Sequence, residues 1–137
     1  MIMKIELTDL QFRRLLDMIY IGNWILNSAR GNDRFEDYDI VESLLFSYCP
    51  SRDMSSLVEY NNGIAEPSEA FENGGIHEAI ADYEDSVFFE ILAEELARRD
   101  MEFEPISPDN LSELSVRIDE YIEEFEQNGI DNITFEK

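Results

Sequence analysis

Residues 8–31, TDLQFRRLLDMIYIGNWILNSARG, set the frame for the rest of the chain. Thr8 followed three residues later by Gln11, with Leu7 ahead of it, is a capping-box pattern in which side chains satisfy the free N–H groups of a helix start. Gly31 supplies the stop. Between them Phe12, Leu15, Leu16, Ile19, Tyr20, Trp24, Ile25 and Ala29 cover more than one narrow stripe. This predicts a central helix buried on most sides.

Downstream, Asp39 and Glu42 form a candidate cap pair, and Ile40, Val41, Leu44, Leu45 and Tyr48 follow at one-face spacing until Pro50. Residues 51–75 carry Asn61-Asn62-Gly63, Pro67 and Gly74-Gly75, which predicts a mobile connection with a short helical turn or two. Residues 76–83 read as a short helix, and Asp85 or Ser86 would cap a longer one to about Arg99, with a buried stripe of Phe88, Leu92 and Leu96 and with Phe89, Ile91 and Ala93 alongside. Its outer face places Glu94 before Arg98 and Glu95 before Arg99, the favourable order for helical ion pairs. Ser107-Pro108 would open the last helix, in which Leu111, Leu114, Ile118, Ile122 and Phe125 recur at spacings of three and four up to Asn128-Gly129. Met1–Ile5, Met101–Phe103 and Ile133–Phe135 are candidates for a minor strand pair. The expected fold is mainly α, a small helical bundle of about four to five helices around a buried N-terminal helix, with a minor two-stranded β element. Residues 1–137 are expected to form a single helical domain, because either side of the 51–75 stretch is too short for a comfortable independent core.

Charge narrows the function classes. The chain holds 32 acidic side chains against 10 Lys and Arg, a net charge of −22. Residues 1–34 hold five basic and four acidic side chains, and the remaining five basic and 28 acidic ones leave residues 35–137 at −23. Direct nucleic-acid binding draws on clustered Lys and Arg, and anionic membranes ask for the same, so both are unsuitable partners. Cys49 is the sole cysteine, which fits a reducing compartment, and the apolar run Met18–Leu26 is too short to cross a bilayer. A cytoplasmic location is expected.

Motifs for catalysis are sparse. His77 is the one histidine, and a Cys49–His77 dyad lacks any local sign of an activated thiol or an orienting third residue. Asp33 to Glu42 lacks the glycine an EF-hand loop needs, one histidine cannot supply two Glu-x-x-His motifs, and Gly74-Gly75 lacks the lysine of a phosphate loop. Neither a cofactor nor a metal is expected. Asp82, Glu84 and Asp85, or Glu90 with Glu94, read as solvated faces.

The last helix breaks local rules. Asp119, Glu120, Glu123, Glu124 and Glu126 crowd its later turns, where the helix dipole favours cations, and Asp119/Glu123 and Glu120/Glu124 repel at i, i+4. Such departures mark functional surfaces, and a basic protein partner would relieve the repulsion. These five residues are therefore the expected partner-binding site of a non-enzymatic acidic interaction module. In size and charge balance the chain resembles the acidic DNA mimics of phages and mobile elements, which implies an inhibitor presenting carboxylates in place of phosphates. Two other readings stand beside it. One is a small carboxylate-rich metal-dependent protein or enzyme; the other is a structural homodimer joined through apolar side chains around Phe88, Phe89 or Phe103.

Overall fold

The computed structural model describes residues 1–136 and is mainly helical, with one small antiparallel sheet. The chain forms two compact units, residues 1–80 and a second beginning at Ala81.

In the first unit, α1 (Asp9–Asn27) starts with the expected capping box: the Thr8 hydroxyl accepts from the Gln11 N–H at 3.2 Å, and Gln11 Oε1 accepts from the Thr8 N–H at 2.9 Å. Its buried residues are Phe12, Leu16, Tyr20, Asn23 and Asn27, spaced by three or four, whereas Leu10, Met18 and Ile25 lie exposed. The helix is thus buried along one stripe rather than on most sides, because the core of Phe46, Cys49, Val58, Ala65, Phe71, Ile76 and Ile80 covers only that side.

Helix α2 (Glu36–Phe46) follows Phe35 without a side-chain cap, so Asp39 and Glu42 lie inside it rather than at its start. Its buried anchor is Phe46; Ile40, Val41, Leu44 and Tyr48, expected inside, are exposed. Phe46 meets Phe71 edge-on with ring centroids 5.0 Å apart, and that contact decides which side of α2 turns inward.

The stretch expected as an irregular connection carries short 3₁₀ turns at Cys49–Arg52 and Ser55–Leu57 and then the hairpin β1 (Val58–Asn61) and β2 (Ile64–Pro67). Asn62 and Gly63 both take positive φ, 53° and 78°, as a two-residue turn matched to strand twist requires. This is where the small sheet sits; Met1–Ile5, Met101–Phe103 and Ile133–Phe135 lie in no strand. Ser68 then caps the single turn α3 (Glu69–Phe71), its hydroxyl accepting from the Phe71 N–H at 3.1 Å. A widened π-type turn, Glu72–Ile76, follows, with Gly75 at φ 109°.

From it runs α4 (His77–Asp100) without the break expected near residue 85; the Ser86 hydroxyl donates to the Asp82 carbonyl instead of capping. In the second unit the buried line of α4 is Ala93, Ala97 and the following Met101, one position round from the expected Phe88, Leu92 and Leu96. Ala97 and Met101 pack with Leu114, Ile118 and Tyr121 of α5 (Leu111–Asn128), and Phe89 lies 5.2 Å from Phe125. The expected Glu94–Arg98 and Glu95–Arg99 pairs do not form; Arg99 binds Asp100 at 2.9 Å. Ser107 closes a turn with Asn110 ahead of α5 rather than capping the helix itself, and Gly129, at φ 55°, ends it as expected. Among the described residues no helix is long and apolar enough to cross a membrane.

Candidate functional site

The five acidic residues singled out in the sequence all lie on α5. At 100° per residue they fan over an arc of roughly 160° opposite the stripe of buried Leu114 and Phe125 and half-buried Ile118. Asp119, Glu120, Glu123 and Glu126 are exposed, and Val116, 56% exposed, sits in the middle of their arc. Among the described residues none of the five has an ion-pair partner: Arg117 is taken by Glu113 at 3.0 Å and Arg99 by Asp100. Glu124 accepts from the Asn128 and Asn132 side-chain amides at 3.1 and 2.6 Å, neutral donors that leave its charge in place. Asp100 is served differently, because the Tyr121 hydroxyl and then Arg99 hold its carboxyl below the usual range.

A second constellation, in the first unit, lies outside the residues expected from the sequence to form a site. Asn27, nearly fully buried, donates to Asn23 Oδ1 at 2.7 Å and to the Phe35 carbonyl at 3.1 Å, and accepts from the Phe35 N–H at 2.8 Å. Asn23 in turn donates to Asp39 at 3.0 Å and Glu42 at 3.1 Å. This chain of amides ties α1 to α2 and fixes both carboxylates. Asp39 is gripped by Arg34 through two contacts of 2.8 and 3.1 Å, which hold its carboxyl below the usual range. Glu42 forms no ion pair among the described residues, and burial pushes its carboxyl up.

One helical turn back on the same stripe, the Tyr20 hydroxyl lies 2.6 Å from Nε2 of His77. Burial, and then the charges of Glu72 and Glu42, push that hydroxyl up to about 12. The π-type turn is what makes this neighbourhood possible, since its extra width brings Glu72 and His77, five residues apart, around one tyrosine. Two adjoining hollows of about 520 and 270 Å³ open here, both lined by Tyr20, Arg34, Glu42 and Glu72. The hairpin adds Glu59 and Glu66 to one, and Trp24 edges the other.

No protein-family model, curated protein or solved structure matches the chain.

Chemistry within the first unit is constrained by the same geometry. Cys49 is fully buried and its thiol is pushed up by burial, the opposite of an activated nucleophile. His77 is engaged by Tyr20, and no hydrogen bond joins it to Cys49 among the described residues. Also among the described residues, no three His, Cys, Asp or Glu side chains converge as metal ligands. Of the apolar side chains proposed for a dimer contact, Phe88 and Phe103 are exposed and Phe89 is half-buried. The cleft had one sequence signal: Asn23 and Asn27 interrupt an apolar stripe four residues apart, where a buried amide demands partners.

Proposed function

We propose that the protein is a non-enzymatic interaction module whose α5 face captures a basic protein partner. The observation that carries this reading is the row Asp119, Glu120, Glu123, Glu124 and Glu126, turned away from the Leu114 and Phe125 side of α5 and without ion-pair partners among the described residues. Like charges at i, i+4 destabilise the helix by about 0.2–0.5 kcal/mol per pair, and a partner's Lys or Arg side chains would return that energy on binding. Val116, exposed one helical turn ahead of Asp119, adds an apolar contact at the amino-terminal end of this row. In its sharper form the partner is a nucleic-acid-binding protein whose groove accepts these carboxylates in place of phosphates.

The test is capture from lysate at low and moderate ionic strength, followed by binding measurements on each purified partner with the triple variant E120K/E123K/E124K. A salt-sensitive complex lost in the variant is expected, and duplex DNA should compete if the partner is a DNA-binding protein. A variant that binds every captured partner as tightly as the parent would overturn the assignment.

A further inference from the structure

We propose that the cleft bordered by Tyr20, Trp24, Glu42 and Glu72 binds a guanidinium group. Its residues belong to the first unit, so the inference stands or falls independently of the α5 face.

The hollows are large enough for a side chain or small molecule, and their walls are chemically one-sided. Asp39, Glu42, Glu59, Glu66 and Glu72 line them against a single cation, Arg34. That cation is engaged already: two of its contacts go to Asp39 and a third, at 3.4 Å, to the Asn27 carbonyl. The wall thus already holds one guanidinium in a forked grip, and beside it Glu42, which accepts only from the Asn23 amide, and Glu72 have no ion-pair partner among the described residues. Glu59 and Glu66 stand directly opposite each other in the hairpin register, an arrangement that weakens a strand pair unless a cation lies close by.

Shape selects the kind of cation. Trp24 and Tyr20 are stacked at 26° with centroids 6.3 Å apart, and Trp24 remains 37% exposed at the edge of the smaller hollow. A planar, weakly hydrated guanidinium can stack on an indole while its fork meets a carboxylate, whereas a compact ammonium does only the second. The Asn27–Asn23 chain holds Glu42 in position beforehand, so little ordering is left for the ligand to impose.

Trp24 is the only tryptophan, so its emission reports this cleft alone. The full chain is titrated at constant ionic strength with N-acetyl-arginine methylamide, its lysine and citrulline counterparts, and a glycine-flanked arginine peptide. A saturable change with the arginine probes is expected, weaker with lysine and absent with citrulline. E42Q/E72Q should lower the affinity about tenfold or more with the circular dichroism spectrum unchanged. Should that double variant not fold, E72Q alone, at an exposed residue, carries the same test. Tighter binding of the peptide would assign the source to a partner's arginine, and equal binding would assign it to free guanidines. No saturable response to arginine, an equal response to citrulline, or unchanged affinity in the folded variants would each overturn the proposal.

Discussion

The Tyr20 hydroxyl and His77 Nε2, 57 residues apart in sequence, meet at 2.6 Å beside Glu42 and Glu72. Because burial and then these carboxylates raise Tyr20 to about 12, the folded state holds its proton where an unfolded tyrosine loses it. The associated stability is complete below the unfolded value near 10 and disappears as pH climbs toward 12. In an absorbance titration of the six tyrosines, Tyr20 should ionise late, and Tyr20→Phe should remove that late component. An unchanged curve in the variant would contradict the placement of this hydroxyl.

Glu42 and Asp39 share the Asn23 amide but should respond oppositely to neutralisation. Burial raises Glu42, so its contribution is favourable only below the unfolded carboxyl range and is lost as pH rises through the folded value. Glu42→Gln is therefore expected to raise the Tm at neutral pH, with the gain shrinking toward about pH 4. Arg34 lowers Asp39, whose contribution exists above the unfolded range and is lost on acidification, so Asp39→Asn should lower the Tm at neutral pH. Melting curves across pH check both signs.

Asn27→Ala would strand the Phe35 N–H, leave the Phe35 carbonyl with only its 3.3 Å contact from the Tyr38 N–H, and release Asn23. A loss of about 3 kcal/mol is expected in urea unfolding. Asn128→Ala, which removes one exposed contact to Glu124, should change stability by no more than about 0.5 kcal/mol.

Neutralising Glu120 and Glu123 together should stabilise α5, since each has a like-charged neighbour four residues away on the same helix. A gain of about 0.5 kcal/mol at low ionic strength, fading in salt, is expected from thermal unfolding. A gain independent of salt would mean that the repulsion is not the cause.

Leu16→Ala should remove about 3 kcal/mol, because Leu16 is completely enclosed, whereas Ile25→Ala, on the outer side of the same helix, should lie within about 0.5 kcal/mol of the parent. Equal effects at the two positions would refute the one-sided burial of α1.

Features written in adjacent residues were readable in advance. Thr8 with Gln11, and Asn128 with Gly129, mark helix ends by local hydrogen bonding and backbone freedom alone. Choosing which side of a helix is buried needs the partner surface: Ile40, Val41 and Leu44 form as good a stripe as any, yet Phe71 draws Phe46 inward instead. The hairpin hid because its strands are only four residues long, although Asn62-Gly63 is the turn pair such strands use. Nothing local joins Tyr20, Glu42, Glu72 and His77, whose meeting depends on the widened turn at Glu72–Ile76.

Cys49 gives the molecule an internal clock. A solitary thiol with no access to water, held protonated by its surroundings, is invisible to alkylating reagents until the first unit opens around it. Labelling rates under native conditions, divided by that of an exposed thiol, then give the fraction of time this core stands open, and its opening rate itself once the reagent outpaces reclosing.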